Sequence, residues 1–170
     1  MDIDIQTFET TYELIDYISE EFQNWPGYIF RGQANENWQL EPSLNRILKN
    51  IKIENDGIDD IIIKHFFRFK ENIRGKLENN SIELDTVELV TLGQHYGLRT
   101  TLLDWTWSPY IGLFFAFSDI SHEETDYRVL WCLNNDDITK INDTYKNENE
   151  KIEIINYRRA ELCGMFVLAS

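Results

Sequence analysis

The chain has 170 residues, is 42% hydrophobic and 14% aromatic, and so suits one domain, 1–170, with a sizeable core. Its net charge of −14 opposes nonspecific nucleic-acid binding, which depends on neutralising phosphates with Lys and Arg. No apolar run approaches the ~20 residues that span a bilayer, and the acidic start MDIDIQTFETTYEL lacks a secretory pattern, so a soluble, cytoplasmic protein is expected.

Phe8, Tyr12, Ile15, Ile18 and Phe22 recur at helical spacing and predict an amphipathic helix over 9–23, stopped by Trp25-Pro26-Gly27. Tyr28-Ile29-Phe30 reads as a short buried strand ending at Arg31-Gly32-Gln33. An arginine there needs a partner inside the fold or a site to reach into. Gly32 allows a turn or the close approach of a ligand. Ala34–Pro42 is a polar loop, Ser43–Lys49 a short helix with Ser43 as its cap, and Ile51–Gly57 irregular.

Ile58, Ile62, Phe66, Phe69, Ile73 and Leu77 mark the longest helix. The basic residues Lys64, Arg68, Lys70, Arg74 and Lys76 decorate its other faces, as a solvated surface or an attraction for a phosphate-bearing partner. Asp85-Thr86-Val87-Glu88 opens a helix that runs to Tyr96 and stops at Gly97. Gln94 and His95 fall in its last turn, where the dipole favours a histidine cation; His95 is either a structural histidine or a site residue.

Thr100–Trp105 is extended, and Ser108-Pro109 starts a helix whose Ile111, Phe114, Phe115 and Phe117 predict burial on most sides. Gly112 and Ala116, four apart, permit close packing. Asp104, Thr106 and Ser108 form a polar knot before that helix: a pocket floor against which YIFRGQ lies, or a brace for the turn. Asp104 suits backbone N–H groups or Arg31 as donors. Tyr127–Leu133 reads as a buried strand, Asn134–Asp143 as a polar turn with room for one helical turn, Lys151–Ile155 as an edge strand and Gly164–Leu168 as a last strand. Cys132 and Cys163 lie in apolar segments and are expected as buried thiols; no zinc spacing is present, so no metal is implied. The whole pattern is α+β with a small mixed or antiparallel sheet and clustered helices.

Phe30-Arg31-Gly32-Gln33, together with Gln94-His95-Tyr96-Gly97, Thr100, Leu102-Leu103-Asp104-Trp105-Thr106 and Pro109, resembles the FRG domain family, named for its Phe-Arg-Gly. A third signature is matched by Arg158 or Arg159, Gly164 and Phe166, with Leu162 where the family has Gln, and Thr101 stands where an arginine is usual. One level up, the order Arg31, Thr106-Trp107-Ser108, Glu161 is similar to the arginine-class ADP-ribosyltransferases. That similarity implies an ADP-ribosyltransferase-like fold with NAD consumed as a substrate, and transfer of ADP-ribose to a macromolecular acceptor in toxin or phage–host conflict. It makes Glu161 and Arg31 catalytic. Arg31, Gly32, Gln33, His95, Tyr96, Asp104, Thr106 and Ser108 become the NAD-binding set. Two other readings stand beside it: a catalytically silent acidic module that engages a basic protein partner, and, ranked last, a nuclease or phosphoesterase using His95 and Asp104.

Overall fold

The computed structural model describes residues 4–22, 27–51, 57–73, 85–118, 125–144, 153–159 and 162–168. Their order is α1 (Thr11–Glu21), β1 (Tyr28–Gln33), α2 (Ser43–Lys49), α3 (Ile58–Ile73), α4 (Thr86–His95), β2 (Leu102–Trp105), α5 (Pro109–Ser118), β3 (Val129–Asn134), α6 (Asn135–Thr144), β4 (Glu153–Arg159) and β5 (Leu162–Leu168). The fold is α+β, as the pattern predicts. The polar stretch after β3 is a ten-residue helix and not a turn. Its Ile138 is buried and its Ile141 half-buried, so the acidic helix is seated by its isoleucines.

Two antiparallel sheets carry the strands: β1 with β3, and β2–β5–β4 with β5 central. Tyr28 pairs with Asn134 and Gln33 with Val129, so β1 continues beyond Phe30 and Arg31 lies inside the strand. Leu102 pairs with Leu168 and Trp105 with Met165 in the other sheet, and β4 forms the edge beyond β5. The sheets meet at one pair: Phe30 N–H donates to Thr106 O at 2.7 Å, and Thr106 N–H to Phe30 O at 2.8 Å.

Among the described residues the core has two clusters. Leu89, Val90 and Leu92 of α4 meet Leu102 under Phe66, Phe69 and Ile73 of α3. Ile29, Leu103, Trp105 and Ile138 form the second, flanked by Trp131 and Leu133. Asp85 and Glu88 close a reciprocal capping box on α4, and Gly97 ends it at φ +85°. Thr10 and Glu13 do the same for α1. Ser43 does not cap α2; its Oγ accepts from Thr100 N–H at 3.3 Å, a contact between distant segments that local spacing does not reveal.

Helix α5 departs from its expected burial. Only Gly112 and Ala116 are buried, while Phe114 is 64% and Ile111 50% exposed. The helix rests on β1 along its small-residue stripe, and the larger residues point away from that contact. Cys132 is likewise exposed and not buried as expected. Cys163 and Glu161 are not described at the side-chain level; Glu161 lies outside the described residues altogether.

Gly32 explains the close contact. A Cβ there would stand 1.9 Å from Gly112 O and 2.6 Å from Ala116 N, both backbone atoms of α5. The close approach permitted by Gly32 is therefore that of a helix. Gly32→Ala is expected to lower stability by ~1–3 kcal/mol in urea unfolding, through overpacking that no rotamer change relieves. Gly97→Ala meets no atom within 4 Å and carries only the left-handed strain, about 1–2 kcal/mol. A Gly32→Ala protein as stable as wild type would contradict the α5–β1 contact.

Candidate functional site

Beyond the Phe30–Thr106 pair the two sheets part. Antiparallel alternation turns the peptide groups of Phe30 and Gly32 toward β2. Thr106 takes the first, and β2 has moved away from the second. A cleft of about 530 Å³ opens there. Arg31 to Ala34 line one side and Asp104 to Thr106 the other, with Gly112, Phe115 and Ser118 of α5 and the segment Asn37 to Glu41 completing it. Arg46 of α2 also faces it.

Arg31 spans the parting. Its Nη1 donates to the backbone carbonyl of Asp104 at 2.7 Å, while its Nε is buried with no partner among the described residues. Burial lowers the Arg31 pKa, the Asp104 carboxylate opposes that shift, and Arg46 adds to it; a guanidinium remains charged throughout. Of the donors expected for the Asp104 carboxylate, backbone N–H groups or Arg31, the guanidinium does not supply the bond. Its own bond goes instead to the main chain, and no ion pair forms between the two.

The Asp104 carboxylate belongs to a different network. Gln94 Nε2 donates to Asp104 Oδ1 at 2.7 Å, and Thr100 Oγ1 donates to Gln94 Oε1. Thr100 Oγ1 also accepts from Leu102 N–H at 3.2 Å, and Thr100 O accepts from Leu44 N–H at 3.0 Å. The relay thus runs from α2 through the wholly buried Thr100 to the C-terminal turn of α4 and into β2. Asp104 opens to solvent along the cleft, yet the protein packed around its carboxyl raises its pKa; the Gln94 bond and Arg31 pull the other way without reversing the shift.

Gln33 is a brace. Its Oε1 accepts from Trp131 Nε1 at 2.6 Å and its Nε2 donates to Gln39 O at 3.3 Å. These bonds tie β3 and the 34–41 segment to β1 at the cleft floor. Glu36 pins the same segment from outside. Its carboxylate accepts from Thr125 Oγ1 and from Tyr127 N–H at 2.9 Å, bonds that lower its pKa. Arg128 Nη1 donates to Ala34 O.

Of the residues singled out from sequence, Arg31, Gly32, Gln33, Asp104 and Thr106 come together around the cleft. Ser108 does not line it; its Oγ accepts from Ile111 N–H at 3.5 Å at the start of α5, while Thr106 Oγ1 accepts from Ser108 N–H at 3.2 Å. His95 and Tyr96 sit exposed at the end of α4, edge-to-face at 5.3 Å, also outside the lining. Trp38, Glu41, Arg46 and Phe115 line the cleft but escaped the sequence reading. A loop tryptophan and an arginine on a short helix carry no motif and no periodicity; only the packing of α2 through Leu44 and Leu48 brings Arg46 round. Among the described residues no three His, Cys, Asp or Glu side chains group as a metal site, and no helix is long and apolar enough to cross a membrane.

A family model described as FRG domain matches residues 26–125, more than half of the chain and inclusive of both signature stretches. No curated protein matches the chain. No solved structure matches it either.

The raised Asp104 pKa has a signed consequence. A carboxyl with a folded pKa above its unfolded value contributes stability below the unfolded pKa and loses it as pH rises through the folded one. Asp104→Asn keeps an oxygen for Gln94 and removes that loss. The Tm of Asp104→Asn relative to wild type is therefore expected to rise as pH climbs from about 3.5 through the ordinary carboxylate range. A difference that stays flat or falls with pH would contradict the crowding of this carboxyl.

Proposed function

The chain belongs to the FRG domain family, and we propose, from its similarity to arginine-class ADP-ribosyltransferases and from the cleft itself, that it binds NAD between β1 and β2 and transfers ADP-ribose to a macromolecular acceptor. The observation that carries this reading is Arg31: a permanently charged fork at the parting of two sheets, engaged by one main-chain carbonyl and with its Nε unpartnered among the described residues. A guanidinium in that position suits the pyrophosphate of a dinucleotide. The Gly32 peptide edge, turned toward the opening, offers an N–H beside it. Trp38 lines the cleft and supplies aromatic surface for a nicotinamide or adenine ring. The Thr106 hydroxyl and the Asp104 carboxyl offer polar contacts to a ribose.

In the proposed reaction the bond between nicotinamide nitrogen and ribose anomeric carbon breaks. Nicotinamide leaves with the bonding electron pair as a neutral base. A nucleophile on the acceptor forms the new bond to the anomeric carbon and gives up its proton. A carboxylate stabilises positive charge developing at that carbon; the resemblance to arginine-class ADP-ribosyltransferases gives this role to Glu161. No oxidant or reductant is involved. The setting we propose is a toxin or a phage–host conflict, and the acceptor is a macromolecule of the target cell.

A second reading is a binding module without catalysis. The observation that favours it is α5, where Tyr110, Ile111, Phe114 and Phe117 are each at least half exposed among the described residues. Capture of one stoichiometric protein partner, unaffected by Arg31→Ala, supports that alternative.

Calorimetric titration with NAD is expected to give saturable heat for wild type and about tenfold or greater weakening for Arg31→Ala, as for loss of a charge-assisted hydrogen bond. Glu161→Ala is expected to bind NAD as wild type does and to lose ~10²-fold or more of transfer rate. Absence of NAD binding in wild type would overturn the reading.

A further inference from the structure

We infer that Arg46 is a second anion-gripping residue of the cleft, and that Arg31 and Arg46 together take a diphosphate ester. This rests on the same cleft as the NAD reading but not on transfer chemistry; its ligand is the diphosphate of a dinucleotide or of a free nucleoside diphosphate.

The two arginines come from unrelated elements, β1 and α2, and reach one cavity. The seat of α2 is firm. Leu44 and Leu48 are buried, Leu44 N–H donates to Thr100 O, and Ser43 Oγ accepts from Thr100 N–H. Arg46 lies between the buried pair and faces out from it. Its helix neighbour Lys49 pairs with Glu41 at 2.6 Å. Arg46 and Arg31 have no carboxylate at ion-pair distance among the described residues. In a chain with 30 acidic residues against 16 basic ones, two such arginines on one cavity run against the overall charge balance. They also repel each other, as the effect of Arg46 on Arg31 shows. An anion between them removes that repulsion, and one with two linked phosphates offers a charge to each guanidinium.

Other features of the lining fit an ester larger than free phosphate. The cavity, about 530 Å³, exceeds what a lone phosphate fills and lies in the range of nucleotide-sized pockets. Trp105, 7% exposed, lines it, and its indole N–H is buried without a partner among the described residues. Of the lining carboxylates that would oppose an anion, Glu41 is paired with Lys49, while Asp104 is held by the neutral amide of Gln94 and faces Arg31.

The test is calorimetry on the full chain with ADP, inorganic pyrophosphate, AMP and NAD. The proteins are wild type, Arg46→Ala, Arg46→Lys, Arg31→Ala and, as a surface control, Arg68→Ala. ADP, pyrophosphate and NAD are expected to bind saturably, with AMP at least tenfold weaker than ADP. Arg46→Ala weakens ADP and NAD tenfold or more, Arg46→Lys recovers part of the loss, and Arg68→Ala changes nothing. Arg46 is exposed, so its truncation leaves the fold intact, checked by an unchanged Tm without ligand. AMP binding as tightly as ADP, or Arg46→Ala within twofold of wild type for both ADP and NAD, would overturn the inference. ADP held through both arginines, with no NAD consumed, upholds it while defeating the transfer reading. NAD bound and consumed equally well by wild type and Arg46→Ala upholds transfer and overturns the inference.

Discussion

Phe30 and Thr106 exchange both of their backbone hydrogen bonds, and the cleft exists because the two strands part immediately beyond that pair. Antiparallel strands normally continue such an exchange every second residue. Here Gly32 would be next, and helix α5 occupies the space above it so tightly that even a methyl group cannot be placed there. The polar turn Thr106-Trp107-Ser108 sends the chain from β2 into that helix. One short segment therefore joins the sheets, opens them, and positions the helix that lines the opening.

Arg31 and Asp104 illustrate how closely the site and the fold are bound together. The guanidinium reaches across the parting to a main-chain carbonyl, which leaves the Asp104 carboxylate to Gln94. Through Thr100 that carboxylate is linked to α2 and α4, and α2 in turn carries Arg46. Substitutions along this relay therefore act on the cleft from a distance, by moving β2 or α2, without touching a ligand. The burial that lowers the Arg31 pKa and raises that of Asp104 has one origin: both groups stand at a seam between sheets, where protein replaces water on several sides.

Much of this was legible in the chain. The spacing of Phe66, Phe69 and Ile73, the Asp85–Glu88 box and the Gly97 stop located α3 and α4, because each signal is local. The two motif stretches pointed to a shared site, and seven of their residues do line one cleft: Phe30, Arg31, Gly32, Gln33, Asp104, Trp105 and Thr106. What was not legible depends on tertiary contact. The aromatic run of α5 suggests an enclosed helix, yet only its small residues touch β1. His95 and Tyr96 belong to the motif but sit at an exposed helix end. Ser43 resembles a cap and instead serves Thr100, and Arg46 bears no pattern at all until α2 is packed.

The central claim is that ligand enters at the parting of β1 and β2. It is tested most directly by following backbone and indole N–H signals by nuclear magnetic resonance while NAD is added. The account predicts that the amides of Gly32, Gln33 and Ala34 and the indole N–H of Trp105 shift together with one saturation curve, while those of α3 stay fixed. Shifts confined to α3, or to the exposed end of α4 at His95 and Tyr96, would place the ligand elsewhere and contradict it.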